Sequence, residues 1–208
     1  MYSKTKKFIY IDIWKTASRS LVKALSPFAS QHPYSKKIIN KVLKSFNFPE
    51  FYTFPGRHSK AIDYLNFFGE KTFNNYYKFT FVRNPFDIQV SLYHYMKMDK
   101  NHFQHELIKN LNFDQYIEWR CEKDPQLQKQ FVVDYNNNVA VDFIGKYEQL
   151  NADFNIIINK FNLNTKLEHI NKSQHLEYSE YYSKQSEKMI LEVFNDDFEL
   201  FNYKKSLN

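Results

Sequence analysis

A buried β-strand that runs through a short turn into a helix is the feature that most restricts the fold of this sequence. Residues Phe8–Ile13 are nearly all apolar and are β-branched or aromatic, which is typical of a strand covered on both faces. Ser18–Leu25 follows with its apolar residues on one helical face, and Pro27 ends this predicted helix. A covered strand followed by a helix favours an α/β fold with a parallel sheet.

The alternation of strands and helices continues along the chain. Tyr77–Val82 is predicted as a second strand, and Pro85 opens a helix that runs to about Met98. A third, short strand is predicted at Val139–Ile144. The other predicted helices are Ser35–Phe46, Lys60–Phe68, Asp114–Glu122, Gln126–Val132, Asn151–Phe161 and Tyr182–Phe194. This order predicts one α/β domain over residues 1–208, with a central parallel sheet flanked by helices in three layers.

Composition limits the partners and the location. The 208 residues carry a net charge of +6, which favours anionic ligands without choosing among nucleotides, acidic glycans and nucleic acid. Cys121 is the only cysteine, so we expect neither an intrachain disulfide nor a cysteine-based zinc site. No apolar run approaches the roughly 20 residues of a membrane-spanning helix. The N-terminal apolar run is short and interrupted by Asp12, so we expect no signal peptide and a cytoplasmic location.

The turn between the first strand and the first helix has the parts of an anion-binding loop. A helix N-terminus offers free backbone N–H groups and a partial positive charge. Lys15 adds a full charge, and Thr16, Ser18 and Ser20 add hydroxyl donors. The turn lacks glycine, so the pattern GxxxxGK[ST] is absent and an ordinary ATP or GTP loop is disfavoured. We expect a short P-loop-like turn that holds one phosphate-like group, with Ser18 entering the helix without backbone strain.

The second predicted strand ends at a cation. Arg83 follows Tyr77–Val82 at the carboxyl edge of the sheet, where ligands of open α/β sheets bind. Its guanidinium can bind a phosphate through two parallel N–H donors, and the Ser91 hydroxyl can donate a hydrogen bond from the following helix. An ion pair with Asp87 is the alternative, purely structural role for Arg83.

These motifs resemble those of sulfotransferases that use 3′-phosphoadenosine 5′-phosphosulfate (PAPS), in particular carbohydrate sulfotransferases related to the heparan sulfate 2-O- and 6-O-enzymes. KTASRS is similar to the family's PKTAGTS or PKTASTS loop, which binds the 5′-phosphosulfate. The resemblance assigns PAPS binding to Lys15, Thr16, Ala17, Ser18, Arg19 and Ser20. Trp14 replaces the family's proline, and Arg19 replaces a hydroxyl residue.

The segment around Arg83 resembles a second motif of the same family. FVRNPFDIQVSLY is similar to FVRNPxDRxxSxY, which binds the 3′-phosphate of PAPS. The resemblance assigns that contact to Arg83 and Ser91, whereas Gln89 stands in the approximate place of a second family arginine.

Two later segments extend the resemblance over most of the chain. FIGKYEQLNADFN (Phe143–Asn155) is similar to the family's FIGRYExLxxDF, to which we assign a mainly structural role. HINKSQHLEYSEYY (His169–Tyr182) resembles HxNxSxxxxxxxYY, a loop that closes over the nucleotide. By this resemblance Lys172 and Ser173 contact PAPS.

Sulfuryl transfer needs a base for the acceptor hydroxyl, and a histidine suits that role near neutral pH. His58 in GRHSKAIDYL resembles the family's catalytic histidine, with Asp63 as the nearest acidic candidate. The alternative bases are His94, His102 and His105. Lys15 is expected to stabilise the charge that grows on the leaving phosphate oxygen.

The motifs together predict an enzyme that transfers a sulfuryl group from PAPS to a carbohydrate hydroxyl, without a metal. The acceptor is not specified, and its walls are expected in Gln31–Tyr52 and Asn101–Asn138.

Two other interpretations stay open. A nucleotide kinase would use Asp142 as a magnesium-binding acid, but the triphosphate loop is missing. A non-catalytic binder of nucleic acid or acidic polymer is favoured only by charge and aromatic content, and no RNA-binding signature is present, so we expect no nucleic-acid partner.

Overall fold

The centre of the protein is a sheet of four strands in the order β1-β2-β3-β4. The structure is a computed structural model and describes residues 1–30, 41–46, 55–168 and 176–207. The strands are β1 (Tyr2–Ser3), β2 (Phe8–Ile11), β3 (Tyr77–Val82) and β4 (Phe143–Lys146). β2, β3 and β4 pair in parallel, whereas β1 is antiparallel to β2. The predicted parallel pairing therefore holds for β2, β3 and β4, and the two-residue β1 adds an antiparallel strand that was not predicted.

Helices follow the strands in the predicted order. They are α1 (Ser18–Leu25), α2 (Ala61–Phe68), α3 (Glu70–Asn74), α4 (Pro85–Met98), α5 (His105–Ile108), α6 (Phe113–Lys123), α7 (Lys129–Val132), α8 (Leu150–Phe161), α9 (Lys184–Val193) and α10 (Asn195–Leu200). Residues 41–45 are also helical, and the rest of the predicted helix Ser35–Phe46 mostly lies outside the described residues. The bounds of α1 and α4 agree with the predictions, and most others differ by a few residues.

The first face of the sheet packs on α1 and α8. Phe8 and Tyr10 of β2 form one core with Leu21 and Leu25 of α1 and with Phe154 of α8. All five side chains are fully or almost fully buried. Because strand side chains alternate between faces, the intervening residues of β2 must face the other way.

The second face packs on α2 and α7. Ile9 and Ile11 of β2 form a core with Ala61 and Tyr64 of α2 and with Phe131 of α7. Helices therefore cover both faces of the sheet, as predicted, and Phe8–Ile11 is buried on both sides because each face has its own core.

A glycine allows β4 to pack closely in this arrangement. A Cβ built on Gly145 would lie 2.5 and 2.7 Å from two ring atoms of Phe81, and 3.1 Å from the Cβ of Asp153. Phe81 is fully buried in β3, so its ring has little room to move. Gly145 thus sets the approach of β4 to β3 and α8, in keeping with a structural role for this segment.

Candidate active site

The carboxyl ends of β2 and β3 bring the two predicted anion-binding segments together. β2 leads into the turn that precedes α1, and Arg83 follows the last residue of β3. Nη1 of Arg83 donates a 3.2 Å hydrogen bond to the backbone carbonyl of Lys15. The two segments are far apart in sequence, and parallel pairing of β2 with β3 places them at one edge of the sheet.

The glycine-free turn is strained. Lys15 has φ 62° and Ala17, the N-cap of α1, has φ 64°. Such left-handed conformations cost roughly 1–2 kcal/mol at a residue other than glycine. Ser18 begins the helix as expected, and the left-handed conformations lie at Lys15 and Ala17, for which the sequence analysis made no prediction. Strained backbone persists where the surroundings hold it, and it concentrates at functional sites.

Thr16 is one of the groups that hold this turn. Its side chain is fully buried, and Oγ1 donates to the backbone carbonyl of Ile13 at 2.9 Å. Ala17 supplies no side-chain cap to the first turn of α1. The N-terminal end of α1 therefore relies on other partners for its backbone N–H groups, and a bound anion is a suitable partner.

Lys15 extends from this turn into a group of positive charges. Its Nζ lies 4.5 Å from the centroid of the Tyr95 ring. Burial, together with the nearby positive charges of Arg83 and Arg19, lowers the pKa of Lys15 from 10.5 to about 8. An anion placed between these cations would relieve their repulsion and return the pKa of Lys15 toward its ordinary value.

The remaining loop residues differ in exposure. Ser18 and Ser20 are buried, whereas Arg19 is exposed. The hydroxyl of Ser18 accepts a 3.0 Å hydrogen bond from Nη2 of Arg57. Arg57 is a cation of the site that the sequence analysis missed, since its link to the loop depends on the fold. Its position directly before His58 was the available signal.

His58 has a partner that fixes its proton. Its Nδ1 lies 3.1 Å from the backbone carbonyl of Asp12, and a carbonyl only accepts, so Nδ1 carries the proton in the neutral ring. Nε2 is then the basic nitrogen. His58 has φ 59°, a third left-handed residue at this edge, and its side chain is about one-third exposed at 37%.

The acid beside His58 is Asp12 and not Asp63. The Asp12 carboxylate is buried, with Oδ2 3.7 Å from Nδ1 of His58 and 3.6 Å from Nε of Arg57. Asp63 instead accepts from the backbone N–H of Lys60 and caps α2. In the sequence, Asp12 is recognisable as the single charged residue of an otherwise apolar strand segment.

Lys15 and His58 line the same pocket, which has a volume of about 400 Å³. Its other walls are formed by Trp14, Leu92, Tyr95, Met96, Asp99, Asn101, His102, Phe103, Gln104, Arg120, Asp124 and Gln126. Many of these belong to the predicted acceptor wall Asn101–Asn138. The other predicted wall, Gln31–Tyr52, lies outside the described residues except for 41–46, which do not line the pocket.

The alternative histidines are less suited to act as the base. His102 lines the pocket, but its Nδ1 accepts from the backbone N–H of Gln104 at 3.2 Å, which leaves the proton on Nε2. His94 and His105 do not line this pocket. His94 contacts the Tyr181 hydroxyl, and His105 contacts the backbone carbonyl of Met96.

Arg83 is held by a dense set of partners. Nε and Nη2 donate to the two carboxylate oxygens of Asp87, each at 2.8 Å, so the predicted structural alternative is present. The guanidinium carbon also lies 4.1 Å from the Tyr147 ring centroid. A guanidinium has five N–H donors, so two remain beyond the bonds to Asp87 and Lys15. The ion pair with Asp87 therefore leaves N–H donors for an anion, while Arg83 itself is only 5% exposed and does not line the pocket.

Ser91 and Gln89 lie on α4 behind Arg83. Ser91 is one helical turn after Asp87 and is only 3% exposed. Gln89 is fully buried, and its Oε1 accepts from the Tyr116 hydroxyl at 3.1 Å. Gln89 therefore belongs to the packing of α4 on α6 and does not replace an exposed phosphate-binding arginine.

Several buried polar atoms around this site have no hydrogen-bond partner among the described residues. They are Oδ2 of Asp12, Nε2 of Gln89 and Nε of Arg120. Unsatisfied buried groups are rare in native proteins and call for a functional or structural reason. Asp12 contacts His58 and Arg120 lines the pocket, so two of these atoms belong to residues at the site.

Other predicted residues lie away from the pocket or outside the described part. Lys172 and Ser173 lie outside the described residues. Asp142, the magnesium ligand of the kinase interpretation, forms a 2.9 Å ion pair with Lys78 near the start of β3, at the opposite edge from Lys15. Within the described ranges, no group of three His, Cys, Asp or Glu side chains is arranged to hold a metal ion.

The chain belongs to the sulfotransferase family, whose model, described as "Sulfotransferase family", matches residues 1–204. This confirms the family-level prediction, and the closer relation to heparan sulfate enzymes stays a prediction. An uncharacterized protein of Archaeoglobus fulgidus is 34% identical over 102 residues, which cover 48% of this chain and 79% of that protein. No solved structure matches the chain. No helix in the described part of the chain is long and apolar enough to cross a membrane.

Proposed function

We propose that this protein transfers the sulfuryl group of PAPS to a hydroxyl of a carbohydrate acceptor. The observation that carries the proposal is that Lys15 and His58 line one pocket at the carboxyl edge of the sheet. A cation suited to a leaving phosphate and a base suited to an attacking hydroxyl thus share one space. In this proposal residues 1–208 act as one sulfotransferase domain with a P-loop-like anion site and no metal.

The residues of the turn fit a phosphosulfate. The left-handed Lys15 and Ala17 shape a concave turn at the N-terminus of α1, where backbone N–H groups and the helix dipole favour an anion. In the proposal Lys15, Thr16, Ala17, Ser18, Arg19 and Ser20 hold the 5′-phosphosulfate. Burial is the main cause of the lowered pKa of Lys15, and the positive charges of Arg83 and Arg19 add to it, which supports an anion site here.

The 3′-phosphate is assigned to the neighbourhood of Arg83. Its two remaining N–H groups can donate to a phosphate oxygen while Asp87 keeps the guanidinium in place. Ser91, Lys172 and Ser173 complete the proposed contacts. The direct bond from Arg83 to the carbonyl of Lys15 supports a single ligand that contacts both segments.

His58 and Lys15 divide the chemical step between them. Nε2 of His58 accepts the proton of the acceptor hydroxyl, and the freed oxygen forms a bond to sulfur. The bond from sulfur to the 5′-phosphate oxygen breaks, and its electron pair leaves with adenosine 3′,5′-bisphosphate. The Lys15 ammonium stabilises the charge that grows on that oxygen. The Asp12 carboxylate, 3.7 Å from Nδ1, stabilises the positive charge that His58 gains.

Calorimetric titration with adenosine 3′,5′-bisphosphate tests the nucleotide assignment. We expect binding by the wild-type protein, weaker binding by Arg83→Ala, and no comparable response to ATP with magnesium. Lys71→Ala is a matched control, because Lys71 is an exposed lysine of α3 away from the pocket. Failure of the bisphosphate to bind, or an equal loss in Lys71→Ala, overturns the proposal. Tight binding of ATP with magnesium would support the kinase interpretation instead.

Transfer of radiolabelled sulfate from PAPS to a mixed pool of oligosaccharides tests the reaction itself. Label should pass to glycan with the wild-type protein, and roughly a hundredfold or more slowly with His58→Ala. Label that remains on PAPS with every glycan, although the bisphosphate binds, would contradict a carbohydrate acceptor.

A further inference from the structure

A series of ring contacts leads from Lys15 to the rim of the pocket. The Tyr95 ring lies under Nζ of Lys15, and the Tyr95 and His102 ring centroids are 5.3 Å apart. His102 in turn stacks on Phe103, with ring centroids 4.7 Å apart and an interplanar angle of 26°. One wall of the pocket is therefore an aromatic surface that begins at the proposed reaction centre.

Phe103 is the outermost ring of this wall and is 85% exposed. An exposed apolar side chain is common by itself. Phe103 differs from an isolated one because it lines the pocket and is stacked on His102, so the ring is held with a broad apolar surface open to solvent. The C–H face of a sugar ring is flat, apolar and of similar size.

The charges on this wall are negative or already neutralised. Asp99 lines the pocket, and its pKa is held below the ordinary value by hydrogen bonds from the Asn101 backbone N–H and the Tyr95 hydroxyl. Asp124 is paired at 2.5 Å with Nη1 of the buried Arg120. Besides Arg120, the Lys or Arg side chain among the described lining residues is Lys15, which the proposed function assigns to the phosphosulfate.

His102 does not offset this negative charge at neutral pH. Burial is the main reason that its pKa is lowered, and the positive charges of His105 and Lys15 lower it further although Asp99 opposes them. A neutral ring suits stacking against a sugar. The described cations near Asp99 already have partners, because Lys15 and Arg19 are assigned to the phosphosulfate and Arg57 donates to Ser18 and lies 3.6 Å from Asp12. An acceptor with carboxylates or sulfates would therefore meet the negative charge of Asp99, and like charges in contact oppose binding.

We propose that the acceptor is an uncharged glycan, with one sugar ring packed on Phe103 and its hydroxyl groups bound by the acidic and amide side chains of the pocket. Asp99 accepts hydrogen bonds from these hydroxyls, and Gln104 and Gln126 lie beside Asp124 at 3.2 and 2.7 Å as further polar groups. This inference rests on the proposed function and specifies its acceptor class. It separates this protein from enzymes that act on polyanionic glycans.

An oligosaccharide array of neutral and acidic glycans of matched length tests the inference by binding, without PAPS. We expect the strongest binders to be neutral and the affinity for them to fall roughly tenfold in Phe103→Ala, the size of one aromatic contact. Met98→Ala is the matched control, since Met98 is 79% exposed but does not line the pocket. Asp99→Asn should improve the binding of acidic glycans relative to neutral ones.

The inference is overturned if acidic glycans bind best, if no glycan binds, or if Phe103→Ala binds neutral glycans as wild type does. Parallel titration with adenosine 3′,5′-bisphosphate separates this result from the proposed function. Bisphosphate binding without neutral-glycan binding removes the acceptor class and leaves the sulfotransferase proposal intact. Loss of bisphosphate binding removes the proposed function whatever the array shows.

Discussion

Nη1 of Arg83 donates to the backbone carbonyl of Lys15 at 3.2 Å, so the residue after β3 holds the turn after β2. Arg83 is itself fixed by both oxygens of Asp87, and its backbone N–H and carbonyl are bonded to the side chain of Gln128. Almost no freedom remains for this guanidinium. The position of the strained turn therefore depends on a residue from a different part of the sequence.

Arg83→Lys is expected to weaken binding of adenosine 3′,5′-bisphosphate by roughly 10- to 100-fold, because one charged hydrogen bond contributes about 1.5–3 kcal/mol. A lysine keeps the charge but cannot bond to Asp87 and to the carbonyl of Lys15 in the same fork geometry. Calorimetry measures the affinity, and a thermal melt of the same sample shows whether the variant is folded. Unchanged affinity in a folded Arg83→Lys would mean that charge alone suffices.

Lys15→Ala should lower kcat far more than it lowers the affinity for PAPS. Lys15 is one of six residues proposed to hold the phosphosulfate, but its ammonium is the group assigned to the charge that grows on the leaving oxygen, and loss of one such group costs roughly 10²–10³ in kcat. Steady-state kinetics with a bisphosphate titration separates the two effects. Equal losses of turnover and affinity would assign Lys15 to ground-state binding only.

Activity should fall as the pH rises through about 8, because Lys15 has its pKa lowered to about 8 and only the protonated form carries the needed charge. The profile of kcat/KM reports the free enzyme and is the measurement to use. Lys15→Arg keeps its charge to higher pH, so its profile should lose this decline. A wild-type profile that stays flat to pH 10 would contradict the role of Lys15.

The same pKa shift should appear in stability. Between about pH 8 and 10.5 the unfolded chain holds the Lys15 proton more than the folded chain does. The free energy of unfolding therefore gains a contribution from Lys15 that rises with pH across this window. Urea unfolding of wild type and Lys15→Met at both ends of the window measures it. The free energy of unfolding of wild type, measured relative to that of Lys15→Met, should increase as the pH rises. A relative free energy that does not change with pH would argue against the pKa shift.

His58→Ala should lower kcat by roughly 10²–10⁴, the usual contribution of a general base. Asp12→Asn should cause a smaller loss, because the backbone carbonyl of Asp12 still fixes the His58 tautomer while the carboxylate charge is gone. Both variants should bind the bisphosphate. His102→Gln is the comparison, and a larger loss there than in His58→Ala would transfer the base role to His102.

Gly145→Ala should destabilise the fold by about 1–3 kcal/mol, the usual cost of overpacking a core. The new methyl group would collide with the buried ring of Phe81. Gly56→Ala is the matched control, because a Cβ there meets nothing within 4 Å. Urea unfolding compares the two variants. Similar free energies of unfolding would show that β4 can shift away from β3.

Much of the fold was predictable because its strongest signals are local. Phe8–Ile11 is a continuous apolar run, and Tyr77–Val82 is rich in aromatic and β-branched residues and is buried after Tyr77. β1 has two residues, too few to give a pattern. The third strand was placed too early because Val139 is apolar, whereas it forms an isolated bridge with Val133 and the strand itself begins at Phe143.

Site residues that directly follow a strand could be predicted from the sequence, because the end of a strand fixes their place at the edge of the sheet. Lys15 and Arg83 follow β2 and β3, and that order was readable. The pairing of His58 with Asp12 was not, because it joins residues 46 apart through a left-handed backbone at His58. The left-handed turn was also missed, since the bonds that hold it come from Thr16 and from a distant part of the chain.

The bond between Arg83 and Lys15 spans 68 residues and also has a consequence for folding kinetics. Contacts between distant residues form slowly, because a long loop must close before they can contribute. The turn at Lys15 can reach its final shape only after the parallel pairing of β2 with β3 is complete. Recovery of bisphosphate binding during refolding would then lag behind the return of the helical circular dichroism signal. The length of this delay would measure how long β2 and β3 take to pair.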